Sequence, residues 1–414
     1  MPVEPVVGWD ADEVVAGWAG LGSLTGNLTA DVCVIGLGGS GLAAVGELLR
    51  RGLSVVGLDA GRVAAGAAGR NGGFLLAGPA IAVHQAADGW GLPAAVELYR
   101  QTLAEIDSLA ELLGPDVIRR VGSLRLAGLP AATPGLSASA GLLAGAELPA
   151  ATAGLPAATA ETEQADRDAE LADCRRQLAV MTQLGLAAEW YSGELGEGLF
   201  LPQDAAMNPA RRALGLAERY RTAARLFENS PVLTIEGRTV RTAGGQVSAG
   251  LVVAAVDGKL ELLLPELVGR VRTTRLQMLA TEPVRPGRLP CPVYSRWGYD
   301  YAQQDAAGRL YVGGGRDQDI DAEWTTDTEP SRPVQSWIER IAVRFAGEPV
   351  RISHRWAASA GYTPDARPIV AEVRPGVIAC GGYNGTGNLV GPIAARAAVA
   401  LGLDGVKPGE YFSS

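Results

Sequence analysis

The chain has 414 residues, 47% hydrophobic and 20% charged, with a net charge of -9 and 55 glycines. That length exceeds the size at which one core usually stops growing, and the negative balance offers no field to nucleic acid or an anionic membrane face. Cys33, Cys174, Cys291 and Cys380 lie far apart and there are two histidines, so neither a disulfide framework nor a metal site is expected.

The acidic start lacks a basic region followed by an apolar core, and no uncharged apolar run reaches the length of about 18 residues that spans a bilayer. A cytoplasmic protein acting on a small molecule is the expectation. Residues 1–30 read as a short leader without a catalytic role.

Residues 31–35 form an apolar run of the kind buried on both faces of a parallel sheet. Gly36, Gly38 and Gly41 then make G-x-G-x-x-G, with Gly39 and Ser40 inside the turn. Leu42, Val45, Leu48 and Leu49 follow at helical spacing, Gly52 supplies a left-handed stop, and 54–58 is a second strand closed by Asp59.

Small residues let backbone approach a diphosphate, the helix start offers free N–H groups, and an acid at Asp59 would accept hydrogen bonds from a ribose. The unit therefore predicts a dinucleotide site, and by itself does not choose between NAD and FAD. The stretch 60–73 carries Ala60, Arg62, Arg70, Asn71, Gly72 and Gly73 among small residues; its composition suits an extended loop along a large flat cofactor rather than a helix or strand.

Apolar spacing predicts a helix over 93–113 and a strand over 121–126 that opens a second unit. The Ala/Gly/Pro-rich stretch 127–160, in which "GLPAAT" occurs twice, reads as a flexible insert. A helical pattern follows over 162–184, and Asn208 with Pro209 fits the cap and first position of a helix to about 227. Strands are expected at 232–235, 247–256, 271–281 and 293–315, the last with a hairpin turn at 305–308. At the far end, 377–380 is an apolar strand and "GGYNGTGN" turns into a helix over 390–401 that Thr386 or Asn388 can cap.

"GAAGRNGGF" after the dinucleotide unit, with "GYTPDARPIV" and "GVIACGGYNGTGNLVGPIAARAAVALGL", resembles the D-amino-acid oxidase, glycine oxidase and sarcosine oxidase superfamily of FAD-dependent oxidoreductases. The branch resembled includes gamma-glutamylputrescine oxidoreductase-like proteins. The resemblance implies an α/β fold, α+β overall: a Rossmann-type FAD-binding domain (1–90, 205–266, 350–414) and a discontinuous substrate domain on a mostly antiparallel sheet (91–204, 267–349).

It also implies that Gly382, Asn384, Gly385, Thr386, Gly387 and Asn388 form a flavin-contacting turn. The helix start behind them would favour the negative charge of reduced flavin. "AAVDG" at 254–258 departs from the Ala-Thr-Asn-like turn of related flavoproteins, and "ASAGYT" lacks the cysteine through which the sarcosine oxidase branch attaches its flavin, so non-covalent FAD is expected.

The activity implied is oxidation of the C–N bond of an amine or amino acid to an imine, with oxygen or another electron acceptor restoring the cofactor. Such chemistry asks the protein mainly to orient substrate and exclude water. Tyr299 and Tyr301 would share a strand face over the cofactor, while Arg316 or Arg296 would fork a carboxylate. Trp356 and Tyr383 would wall the cavity, and His354 lies close upstream. A homodimer is allowed. Other readings are a dehydrogenase feeding a quinone or partner protein, an idle FAD-binding protein, and a plain NAD enzyme.

Overall fold

The computed structural model describes residues 7–130, 142–143 and 160–413, so most of the stretch expected to be a flexible insert lies outside the described residues. Two large sheets organise these residues. The first orders Arg225–Phe227, Val55–Leu58, Gly26–Ile35 and Gly245–Ala254, then Thr239–Thr242 and Val232–Glu236; Val377–Gly381 joins Gly245–Ala254 in parallel and Ile369–Arg374 lies outside it.

Val32, Cys33, Val34 and Ile35 are buried because helices cover one side of this sheet and a second apolar layer the other, which is why the run does not alternate. The helix Gly39–Arg50 packs on this sheet beside Pro209–Tyr220 and Val390–Asp404. Arg51 closes the first of these helices and Gly52 follows in the left-handed region at φ 76°, as its position after the last apolar residue predicts.

The second sheet runs from Val350–Tyr362 through Arg272–Thr281, Leu310–Gly314, Asp300–Gln304, Val293–Ser295, Ser123–Leu126 and Gly196–Leu201 to Glu189–Gly193. Its pairings are antiparallel apart from Val293–Ser295 against Ser123–Leu126 and Leu142–Leu143 against Val350–Tyr362. The helix Arg332–Ala346 covers it with Ile338, Ile341, Ala342 and Phe345. Helices Leu92–Leu113 and Ala160–Gln183 match the expected 93–113 and 162–184.

Three expectations are corrected. The helix from Pro209 ends at Tyr220 rather than near 227, and Arg225–Phe227 becomes an edge strand beside Val55–Leu58. Three residues after an Ala-rich turn carry no strand period, so only the sheet edge reveals them. Strand Val350–Tyr362, grouped by sequence with the cofactor unit, belongs to the second sheet, where it pairs along its length with Arg272–Thr281. The stretch 293–315 is broken by a turn at Arg296–Gly298, where Arg296 and Trp297 take φ of 48° and 58°. Among the described residues, no helix is long and apolar enough to cross a membrane.

Candidate cofactor and substrate site

The glycine turn has the geometry its sequence implies. Gly36 takes φ 93° and donates its N–H to Leu58 O at 2.7 Å, and a Cβ on Gly41 would overlap the Gly36 carbonyl oxygen. The helix Gly39–Arg50 begins at Gly38 with no side-chain cap, which leaves its first N–H groups for an anion. Asp59 ends the second strand, and its carboxylate accepts from Leu37 N at 2.8 Å and Gly61 N at 3.0 Å. It thereby fixes the turn. This cradle fits a dinucleotide diphosphate.

Past Asp59, exposed Ala60 and Arg62 lead into the loop, with Arg62 donating to Trp18 O at 3.2 Å. Glu228, which no sequence motif marks, organises this segment: its buried carboxylate accepts from Val63 N, Trp18 Nε1 and Leu21 N at 2.7 to 2.9 Å. Farther on, Asn71 receives Gly73 N at 2.8 Å, and Gly72 O receives the Gln303 amide. The chain start reaches the same loop, since Trp9 donates Nε1 to Asn71 O at 3.0 Å while its ring stacks on Tyr311 at 3.5 Å between centroids.

Opposite this loop stands the closing turn. Gly382 is left-handed and Asn384 takes φ 53°, held by Thr363 N donating to its Oδ1 at 2.9 Å and by its own Nδ2 donating to Gly382 O at 2.8 Å. Asp257 of the divergent "AAVDG" accepts backbone N–H groups from Tyr383, at 3.0 Å, and from Gly361 and Gly382. Burial nonetheless raises its pKa to about 6.

Neither Thr386 nor Asn388 caps the final helix by its side chain. Thr386 Oγ1 donates to Tyr383 O at 2.7 Å, and Asn388 Nδ2 donates to Asn71 Oδ1 at 3.0 Å and Phe74 O at 2.8 Å. Gly387 passes close enough to the Tyr383 ring that a Cβ would sit 3.1 Å from it.

Between the two segments lies a cavity of about 570 Å³. Arg70, Asn71 and Gly72 reach it from the first loop, Asn384, Gly385, Thr386 and Asn388 from the closing turn, and Tyr299, Tyr301 and Arg316 from the second sheet. Tyr301 sits on a strand, but Tyr299 stands one residue before it, at the end of the Arg296–Gly298 turn.

The two expected wall residues, and His354 upstream of them, lie elsewhere. Trp356 is fully buried and donates Nε1 to Arg70 O at 2.8 Å, supporting the loop from below. Tyr383 is buried in the closing turn, its hydroxyl near Ser40 and Cys380 rather than on the cavity wall. His354 is not among the lining residues; its Nδ1 lies 3.0 Å from Ser353 Oγ, and desolvation, with Arg309 nearby, lowers its pKa. Arg296 is also outside, paired with Asp300 at 2.9 Å and with Asp317.

Sequence reasoning missed Arg125, Tyr294, Trp297 and Tyr362, all of which line the cavity. Arg125 was detectable only as a cation inside the apolar run "SLRL"; it bonds Asp173 at 2.6 Å and Gln177. The described lining contains three cations, Arg70, Arg125 and Arg316, and no carboxylate, lysine or histidine. Arg316 stacks over Tyr362 at 4.6 Å and Trp324 at 5.2 Å, and its Nη1 has no hydrogen-bond partner.

A diphosphate cradle at one sheet and an arginine-lined chamber at the other define a dinucleotide-dependent oxidoreductase. Its family follows from the sequence as a whole: the model of the FAD dependent oxidoreductase family DAO matches residues 31–401, and the chain belongs to that family. The plain NAD reading falls with it.

The chain is 27% identical over 399 residues to a probable oxidoreductase OrdL of Rhizobium meliloti, covering 92% of this chain and 84% of that one. It is 26% identical over 407 residues to the gamma-glutamylputrescine oxidoreductase of Escherichia coli, covering 92% and 85%. In fold it is similar to glycine oxidase from Geobacillus kaustophilus, with TM-score 0.68, 19% identity and coverage of 92% and 96%. It is likewise similar to an L-amino acid deaminase from Proteus vulgaris, with TM-score 0.65, 17% identity and 94% of both chains covered.

Proposed function

We propose that the protein oxidises the C–N bond of an amine that carries a carboxylate to an imine, which water hydrolyses, with non-covalently bound FAD as two-electron acceptor. The observation that carries this reading is the described cavity lining: Arg70, Arg316 and an Arg125 paired with Asp173, no acidic side chain among the described lining residues, and an Arg316 whose Nη1 lacks a hydrogen-bond partner. A polyamine without a carboxylate would bring positive charge to a positive wall; an amino acid brings an anion that a guanidinium can fork.

Arg316 binds and orients the carboxylate, its plane fixed by Tyr362 and Trp324. Tyr299 and Tyr301 bound the space over the cofactor loop. Burial pushes the hydroxyls of Tyr301 and Tyr362 up, so they stay protonated donors and take no proton from the substrate. With no described base on the wall, the amine has to arrive neutral, and the protein's part is orientation and exclusion of water.

Non-covalent attachment is supported by Gly361 standing directly before Tyr362 and Thr363, and by Cys380 being a core residue whose thiol burial raises to about 12. Oxygen as final acceptor would yield one hydrogen peroxide per turnover, whereas a quinone or protein acceptor would yield none.

The test is anaerobic mixing of the holoenzyme with paired compounds, amino acids and the amines that lack their carboxylate, following the visible absorbance of the flavin. Bleaching by the acids alone is expected. Bleaching by the amines alone, or by neither, overturns the reading.

A further inference from the structure

Arg212 is a buried cation at the heart of the cofactor unit, with no described carboxylate within ion-pair distance. It is the fourth residue of the helix Pro209–Tyr220 and is 1% exposed. Its Nη2 donates to Asn388 O at 2.9 Å, Nη1 lies 3.5 Å from Asn388 Oδ1, and Nε has no partner. The carboxylate whose charge reaches it, Glu105, is itself hydrogen-bonded to Arg396. Burial lowers the pKa of Arg212 to about 10, so the group stays charged at neutral pH.

Its surroundings add positive potential. A Cβ on Gly39, the first residue of the helix Gly39–Arg50, would meet Arg212 Nη1 at 2.5 Å. Asn388 immediately precedes Leu389, the cap of the helix Val390–Asp404. The guanidinium thus stands where three helices begin, each presenting the positive end of its dipole. A cation buried among positive ends is costly unless an anion answers it.

We propose that Arg212 is a positioning residue for the diphosphate of the cofactor. Its charge, which no described carboxylate contacts and Glu105 reaches only at a distance, is answered by the diphosphate at the uncapped start of Gly39–Arg50, and its bond to Asn388 O locks the closing turn to that helix start. Because the guanidinium is covered, it acts through the Gly39 backbone and Asn388 rather than by touching the ligand. The inference rests on the FAD family and stands apart from the choice of substrate.

The holoenzyme is diluted, released FAD is read by fluorescence, and adenosine diphosphate and adenosine are added as competitors. Arg212→Gln keeps an amide donor for Asn388 O and removes the charge, while Arg212→Lys keeps the charge. In the Gln variant FAD should bind about tenfold more weakly and the advantage of adenosine diphosphate over adenosine should fall by a similar factor. The Lys variant should retain both within about threefold.

An unchanged preference for the diphosphate in the Gln variant would show Arg212 to be a packing residue and overturn the proposal. If the Gln chain does not fold, the Lys chain decides: a folded Lys variant that has lost the diphosphate preference overturns it equally.

Discussion

Asn71 and Asn388, 317 residues apart, exchange two side-chain hydrogen bonds: Asn71 Nδ2 donates to Asn388 Oδ1 at 3.2 Å and Asn388 Nδ2 donates to Asn71 Oδ1 at 3.0 Å. The pair fastens the loop after the dinucleotide unit to the turn before the last helix, so the two walls of the cofactor site cannot drift separately. Asn388→Ala removes this clasp and leaves Phe74 O without its donor. Unsatisfied polar groups cost about 1–3 kcal/mol each, so a rise of about tenfold or more in the FAD dissociation constant is expected by fluorescence titration. Unaltered retention of FAD would show that the walls hold without the clasp.

Arg316→Met should lower kcat/KM for an amino-acid substrate by about 100-fold, as expected for a charge-assisted bidentate contact. The corresponding amine without a carboxylate should be turned over equally well, or equally poorly, by both forms. Steady-state kinetics on the pair separates these outcomes, and a parallel loss on both compounds would assign Arg316 to folding of the wall.

Acid precipitation of the holoenzyme should leave a white pellet and a yellow supernatant, since the position before Tyr362 holds Gly361 and all four cysteines are buried. A yellow pellet after washing would place a covalent bond where no accessible thiolate exists.

Asp204 is buried, accepting Ala77 N at 2.8 Å and the Ser123 hydroxyl at 2.6 Å, and burial raises its pKa to about 7 from an ordinary 3.8. The folded chain therefore holds this proton more tightly than the unfolded one, and stability falls as pH rises from about 4 to about 7, then levels. Asp257 and Asp300, each raised to about 6, contribute to the lower part of that window. Asp204→Asn should flatten the decline of Tm most clearly between pH 6 and 7. A decline in the variant as steep as in the parent would remove Asp204 as its cause.

The strand, turn, helix and acid of the cofactor unit were legible because each residue there answers a local demand of the backbone. Gly36 takes a left-handed angle, Gly41 admits a carbonyl, and Asp59 ends a strand. The chamber was only half legible. Arg125 faces inward because Ser123–Leu126 pairs with both Val293–Ser295 and Gly196–Leu201, a partnership no local pattern announces.

Trp356 shares its strand face with Ala358, Ala360 and Tyr362, which do line the cavity, but the Arg70 carbonyl sits on its indole and the wall begins two residues later. Arg212 carries no mark in the sequence beyond being one of two adjacent arginines in the helix after Pro209. Its burial against Gly39 is visible only in the fold.

The indole of Trp9 joins Asn71 O to the ring of Tyr311 and so ties the beginning of the chain to the flavin loop and the second sheet at once. A change that displaces the Trp9 indole should therefore loosen the hold on the pigment as well. The colour of a purified batch then becomes a gauge of whether Trp9 is seated.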